Sequence, residues 1–350
     1  MTAEAERSKA KTLVESGPSG WFGTVHPIVP WLIGLALLLP LPLLMRNSYH
    51  QYVVNVIAIN VILAVGLNIV KGFAGQVTVG HIALAAIGAY TSAVLATKLG
   101  FSFWLALPCA MLLTGLAGAL VGVPSFRLEG AYLALATLGL AESVRIAISG
   151  TEFLGGAIGY ENIPSPFIGG LALDAHRSYY YVVMPIALLG IYFSFCILSS
   201  DMGRAFKAIR EDQLAAAASG VNVRKYKVIA FVLSALYAGC AGSLKAHMAP
   251  GFLNPNDYTL IEMVTVLLMV VFGGIGHIWG GVIGAVVVTI INDLTQDYYQ
   301  YRMAIFGAVI VLTVMFMPRG IGGIIDDFFI RRRFKVLRKA KPQGVAADAS

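Results

Sequence analysis

The sequence predicts an all-α, polytopic membrane protein of about ten transmembrane helices with Gly-rich breaks and both termini cytoplasmic. Three observations predict it. Only 12% of the 350 residues are charged and 58% are hydrophobic, whereas a soluble domain carries roughly 25% charged residues because its surface must meet water. Several windows of roughly 18–22 residues are almost free of charge, the length needed to cross about 30 Å of hydrocarbon at 1.5 Å per residue. The Lys and Arg residues, finally, collect on alternate loops.

The elements follow in order. Apolar segment 28–45 comes after 27 mostly polar residues, too late for the core of a cleavable signal peptide, so 1–27 is expected to be a cytoplasmic tail. The transmembrane domain is expected to run over 28–325, through segments 52–70, 81–97, 101–122, 128–148, 179–199, 228–247, 259–272, 281–293 and 303–320. Segments 259–272 and 281–293 are short for full spans and flank a Gly-rich break. Two connections are large: 149–178, rich in Gly and Pro, and 200–227, charged and helix-patterned. Within the final tail, 326–350, the run Phe328–Lys341 mixes aromatic and cationic residues, which suits an anchor against anionic membrane lipid.

With both termini inside, nineteen of the 25 Lys and Arg residues fall on the inner side and five on the outer, with Arg145 left in a span. That bias fixes the orientation and makes 149–178 an outer loop and 200–227 a cytoplasmic one. The net charge of +7 therefore reads as topology, and no nucleic-acid partner is expected. Cys109, Cys196 and Cys240 lie in apolar runs as packing residues, with no metal-ligand spacing. No phosphate loop of the form Gly-x-x-x-x-Gly-Lys-Ser/Thr occurs, nor His-Glu-x-x-His, nor Gly-x-Ser-x-Gly. An enzyme, a cofactor and a metal are accordingly not expected.

Three features point to function. In the inner loop, Ser200-Asp201 starts a helix, Lys207 and Glu211 stand four apart as an ion pair, the run Ala215–Ala218 offers a small-sided face, and Gly220 stops it. A part moved by a soluble motor needs such a face to seat in a groove, with charged flanks (Arg204, Lys207, Arg210, Glu211, Asp212) to fix its register; the pattern fits an ordinary interfacial connector equally well. Second, glycines punctuate two breaks, Gly72, Gly75 and Gly80 in the first and Gly273, Gly274 and Gly276 in the second. Irregular backbone at membrane depth belongs inside protein or beside a watery cavity, so Gln76, Thr78 and His81 are candidates to line a passage. The alternative is tight packing, for which the four-residue spacing of Gly276, Gly280 and Gly284 is suited. Third, Glu142, Arg145 and Glu262 are intramembrane charges; the first two share a helix face and can pair. Gly80–Ala89 also resembles Gly276–Ala285, with six of ten positions identical.

Four blocks carry a family resemblance. The stretch Gly203-Arg204-Ala205-x-x-Ala208-Ile209-Arg210-Glu211-Asp212, continuing to Gly242, resembles permeases of the branched-chain amino acid ABC importers, LivM type. So do Gly72-x-x-Gly75-Gln76-x-Thr78-x-Gly80-His81, Arg127-Leu128-x-Gly130-x-Tyr132-x-Ala134-x-x-Thr137-Leu138-x-x-x-Glu142, and Gly273-Gly274-x-Gly276 through Gly284-Ala285. The blocks stand in family order over roughly 50–325. Of the importer loop signature Glu-Ala-Ala-x-x-x-Gly, Ala215, Ala216 and Gly220 fit, and Leu214 stands at the glutamate position. The resemblance implies a permease subunit in the bacterial inner membrane, a second homologous permease, two ATP-binding cassette ATPase subunits and a periplasmic substrate-binding protein. It also implies coupling to the ATPase through 200–227, with Ala217 among the docking residues, and adds Tyr132 and Thr137 to the pathway candidates Gln76, Thr78, His81, Glu142 and Glu262. Urea, amides and other small organic acids stay open as substrates, and a secondary transporter or channel using Glu142 and Glu262 is the rival class.

Overall fold

The computed structural model describes residues 40–45, 47–168, 171–173, 175–295, 307–308, 311, 315 and 320–322. The chain divides into two units, 1–46 and 47–350. Among the described residues the first contributes one helical turn, Leu41–Leu44. The expected tails 1–27 and 326–350, and most of segments 28–45 and 303–320, lie outside the described residues.

The second unit is helical. Asn47 starts α1 (Ser48–Leu67) by accepting the Tyr49 amide on its side-chain oxygen at 2.9 Å. The helix then continues as a π-helix, Asn68–Phe73. Next come α2 (His81–Lys98), α3 (Phe103–Gly122), α4 (Ala131–Ser149) and α5 (His176–Ser199). Two short helices, α6 (Asp201–Glu211) and α7 (Gln213–Ala218), lead into α8 (Val223–His247). Then come α9 (Leu260–Gly273) and α10 (Ile278–Leu294). Among the described residues five helices are long and apolar enough to cross a membrane: Ser48–Phe73, Phe103–Phe126, Ala131–Ser149, His176–Ser199 and Val223–His247. The apolar α9 and α10 are shorter. Each of the eight sequence segments from 52–70 to 281–293 therefore coincides with a helix.

The core forms around α8, which packs along α3 and α2 and touches α1. Close backbone approach makes this possible. A Cβ placed on Gly88 of α2 would lie 2.5 Å from the Gly239 Cα of α8, and one on Gly239 would lie 2.7 Å from Thr114 Oγ1 of α3. With α1, α2 and α8 buried at the centre, the outward faces of α3, α4 and α5 remain apolar and exposed, for example Leu116, Leu120, Leu135 and Phe193. A chain that presents such faces over whole helices is built for hydrocarbon or for other apolar helices.

Contacts gather the connections at two ends: Arg210 meets Gly75 and Gly276, and Lys227 meets Ser125, at one, while Tyr160 meets Leu253 at the other. One end collects 74–80, 123–130, 200–222 and 274–277, along with Arg127, Arg204, Lys207, Arg210, Arg224, Lys225 and Lys227; it is the basic end. The other collects 99–102, 150–175 and 248–259. There the long loop is pinned to the α8–α9 connection: Tyr160 and Leu253 exchange backbone hydrogen bonds of 2.8 and 2.9 Å, and Ile163 N donates to Gly251 O at 3.1 Å. The loop also carries a small antiparallel ribbon, β1 (Phe167–Ile168) on β2 (Leu171–Ala172). The two similar decamers, at Gly80 and Gly276, both open helices that start from the basic end.

Candidate functional site

The basic end is built from α6 inward. Ser200 caps α6, its Oγ accepting from the Met202 amide at 3.3 Å. Phe206 and Ile209 are fully buried beneath the helix, while Lys207 and Glu211 stay in the open. Three expectations are corrected here. The sequence suggests one helix across this loop, yet the backbone becomes extended at Asp212, whose Oδ1 accepts from Leu214 N at 2.8 Å and Ala215 N at 2.9 Å and so starts a second helix, α7. Lys207 and Glu211 form no ion pair, and Arg204 pairs instead with Asp201. Ala216 turns inward and is buried, leaving Leu214, Ala215, Ala217 and Ala218 as the exposed face of α7. Gly220 ends the unit at φ +86°, its amide donating to Ala217 O at 3.0 Å.

Arg210 has a different role from its charged neighbours. Its Nη1 donates to the carbonyl of Gly72, at the end of α1's π-helical turn. The stem of Arg210 lies against Gly75, where a Cβ would sit 3.1 Å from Arg210 Cγ. A Cβ on Gly276 would overlap the Arg210 guanidinium. Both Gly75 (φ +69°) and Gly276 (φ +87°) also hold left-handed backbone, so glycine is required twice over. Arg210 thus reaches from the surface loop to the place where both Gly-rich breaks meet.

Asn68 ties those breaks together. It is buried, its Nδ2 donates to His277 O at 2.8 Å, and its Oδ1 accepts from Gly276 N at 3.0 Å. A side chain at Gly72 would overlap Asn68 Oδ1. The second break is further locked by helix contact: Cβ atoms on Gly273, Gly280 or Gly284 would run into Gly280 O, Gly273 O and Met269 O respectively. Gly274 completes the turn at φ +115°.

The first break is closed by side chains that hydrogen-bond within the protein. Gln76 Nε2 donates to Ala74 O at 3.1 Å. Thr78 Oγ1 accepts from Gly80 N at 3.3 Å, and Thr137 Oγ1 accepts from Val79 N at 3.0 Å. A Cβ on Gly80 would sit 3.0 Å from Thr137 O. His81 lies between Leu63 O, 3.1 Å from Nε2, and Ser234 Oγ, 3.0 Å from Nδ1. All four polar residues are buried.

A cavity of about 640 Å³ lies on the other side of this closure, between α1, α2, α8, α9 and α10. Glu262 lines it; Gln76, Thr78, His81, Tyr132, Thr137 and Glu142 do not. Tyr132 is 75% exposed on the outward face of α4. Glu142 is exposed and paired with Arg145, whose Nη1 reaches Asn256 Oδ1 at 3.5 Å on the cavity rim. The cavity is graded. Near the end of the 150–175 loop it carries Lys245, Asp257, Glu262 and Asp293; deeper in it is walled by Val56, Ile59, Leu63, Val266 and Met269. Lys245 Nζ lies 3.6 Å from Asp257 Oδ2 and 5.1 Å from the ring of Tyr258. Tyr258 is buried, its hydroxyl has no hydrogen-bond partner among the described residues, and burial, then the nearby Asp257 charge, hold its pKa well above the ordinary 10. The hydroxyl therefore stays a proton donor at any physiological pH. The sequence singles out Glu262 but gives no signal for Lys245, Asp257 and Asp293, because only the packing of two helix ends, a turn and a helix start brings them onto one lining.

The family described as "Branched-chain amino acid transport system / permease component" matches residues 49–315, a range that takes in both breaks, the Arg210 loop and the cavity. The chain belongs to that permease family. It is 35% identical over 287 residues to the high-affinity branched-chain amino acid transport system permease protein LivM of Escherichia coli K12, covering 75% of this chain and 67% of the relative. The LivH permease protein of the same organism is 25% identical, with 75% and 90% covered. The ribose import permease protein RbsC of Haemophilus influenzae is 24% identical, with 76% and 83% covered. No solved structure matches the chain significantly. As a member of the permease family, the chain is a multi-pass membrane transport component.

Proposed function

We propose that the chain is the membrane subunit of an ATP-driven importer that carries branched-chain amino acids across the bacterial inner membrane. It works with a second homologous permease, two ATP-binding cassette ATPase subunits and a periplasmic substrate-binding protein. The basic end faces the cytoplasm, the positive-inside bias supporting that orientation, and residues 1–27 and 326–350 lie there too. About ten helices cross the membrane.

The observation that carries this reading is the reach of Arg210. The α6–α7 unit presents Leu214, Ala215, Ala217 and Ala218 to the outside of the fold, and from the same unit Arg210 bonds the Gly72 carbonyl beneath the cavity. A push on α7 is thereby delivered to the point where α1 and the α9–α10 turn are joined through Asn68. Residues 149–178 serve as the outer docking loop. Gln76, Thr78, His81 and Thr137 act as the closure below the cavity, and Glu262 faces the substrate. The rival reading needs Glu142 and Glu262 to share one coupling-ion site; Glu142 is instead held by Arg145 outside the cavity.

The test is purification of the tagged chain from its native membrane, followed by reconstitution. Two ATPase subunits and a sister permease are expected to co-purify, and liposomes are expected to take up L-leucine only with ATP and the binding protein. Uptake by the chain alone, driven by an ion gradient, would refute the proposal.

A further inference from the structure

The structure assigns to the graded cavity a zwitterion-binding subsite, in which Lys245 receives the substrate carboxylate, Glu262 and Asp293 attract its ammonium group, and the wall around Ile59, Val266 and Met269 takes an aliphatic side chain. This rests on the importer reading above and adds the atoms that hold the substrate to it.

The volume comes first. A cavity of about 640 Å³ falls inside the range of roughly 300–1,000 Å³ found for small-molecule sites, which typically pair apolar walls with a few placed polar groups. The register of the helices then sorts the lining. Along α1, Tyr52 stands at the charged end and Val56, Ile59 and Leu63 follow at helical spacing toward the interior. Along α9, Glu262 precedes Val266 and Met269 in the same sense. A ligand in this space meets charge at one end and hydrocarbon at the other.

Charge bookkeeping narrows the class. Among the described residues, one cation, Lys245, shares the lining with three carboxylates, Asp257, Glu262 and Asp293. Asp293 already accepts from the Tyr49 hydroxyl, and Asp257 stands 3.6 Å from Lys245, too far for a good hydrogen bond. Among the described residues Lys245 makes no hydrogen bond, so its three donors are available to an incoming carboxylate. The unpartnered Tyr258 hydroxyl, in a residue 3% exposed, is an independent sign of a missing polar partner at this lining. A second carboxylate on the ligand would approach Asp257, Glu262 and Asp293 and be repelled, so acidic amino acids are disfavoured while neutral aliphatic ones fit.

The test uses the purified full-length chain in nanodiscs, without binding protein or ATPase, and measures tritiated L-leucine binding with competition by isoamylamine and L-glutamate. Isoamylamine keeps the ammonium and the branched tail but lacks the carboxylate. L-Leucine is expected to compete at least roughly tenfold better than isoamylamine, the minimum for one charge-assisted contact, and L-glutamate not at all. In Lys245→Met the preference over isoamylamine should fall to about onefold, and Lys245→Arg should restore most of it. An unchanged preference in Lys245→Met, or tight binding of L-glutamate to the native chain, would overturn the subsite. If the complete importer still takes up L-leucine with ATP in that case, the importer reading survives; if it does not, that reading fails separately.

Discussion

The Arg210 side chain bonds the Gly72 carbonyl from 138 positions further along the chain, and its guanidinium occupies the room left by the missing side chain of Gly276. One surface-anchored cation is thereby fitted to both Gly-rich breaks. A hydrogen bond from a charged donor contributes about 1.5–3 kcal/mol, small against the packing of a helical bundle but large enough to bias two arrangements of a hinge.

Arg210→Ala is therefore expected to leave the fold in place and to cut ATP-dependent uptake at least tenfold, a loss of about 1.4 kcal/mol or more in coupling, with ATPase activity retained. Arg210→Lys should recover part of it, because an ammonium can reach the carbonyl but cannot fill the space a planar guanidinium covers. Paired uptake and phosphate-release assays on the reconstituted importer check both; equal losses of uptake and ATPase would contradict the coupling role.

Replacing Asn68 should act on stability. Asn68→Leu leaves the Gly276 amide without its acceptor and removes one of the two amide donors to the His277 carbonyl, which keeps the Gly281 amide at 3.2 Å; a buried orphan costs about 1–3 kcal/mol. Thermal unfolding of the purified chain in detergent should show a clear drop in midpoint, larger than that of Asn60→Leu, which loses only the 2.9 Å bond from Asn60 Nδ2 to Thr289 Oγ1 in the cavity lining.

These two residues mark where the sequence is legible and where it is not. Eight helices can be read from uncharged runs because hydrocarbon imposes a length and a composition on each. The Gly-rich breaks are legible for a similar reason: glycines at 72, 75, 273, 274 and 276 announce irregular backbone. What fills the breaks is not. Asn68 stands alone in an apolar run, and Arg210 looks like any other charge in a charged loop, since both find their partners across long chain separations. The Asp212 cap that divides α6 from α7 was within reach, an acid two and three residues before amides it accepts, but the charge pattern around it favours one continuous helix. The cavity fails differently. Lys245, Asp257, Glu262 and Asp293 sit on two helix ends, a helix start and a turn, and only packing turns them into one lining.

Glycine at the second break is held by backbone atoms that cannot yield. In Gly284→Ala the new methyl would overlap the Met269 carbonyl and lie 2.8 Å from Gly273 N, so α9 and α10 must separate at a cost of about 1–3 kcal/mol. Gly139, in the middle of α4, has nothing within 4 Å of an added Cβ. Gly139→Ala should be neutral or raise stability by roughly 0.5–1 kcal/mol through lower chain entropy. The unfolding midpoint of the purified chain should therefore fall in Gly284→Ala and stay unchanged or rise in Gly139→Ala.

An asymmetry is expected at the ion pair beside the basic end. Lys227 has a side chain only 2% exposed, with Nζ 2.9 Å from Glu129 Oε1 and 3.4 Å from Ser125 O, whereas Glu129 is 61% exposed. Removing the acid strands a buried cation; replacing the cation by an isosteric apolar chain does not. Because Glu129 is well solvated the loss is moderated, so Glu129→Gln should cost about 1–3 kcal/mol and Lys227→Met less than about 1 kcal/mol. The reverse order in thermal melts would mean that Lys227 serves the exposed acid and not the interior.

The α7 face separates docking from folding. Ala217 is exposed and Ala216 is 4% exposed, although the two are neighbours in a run of four alanines. Trp at Ala217 adds bulk only on the outside, so the chain should fold and the bundle should stay intact, while any groove shaped for small side chains is blocked. Uptake should fall to background, and the ATPase subunits should either detach or hydrolyse without transport. Trp at Ala216 instead forces a large ring under a six-residue helix, where overpacking costs about 1–3 kcal/mol or more, and should reduce the yield of monodisperse protein before any function is measured. Size-exclusion profiles taken beside uptake assays distinguish the two, and an Ala217→Trp importer with normal uptake would remove α7 as the seat of the motor.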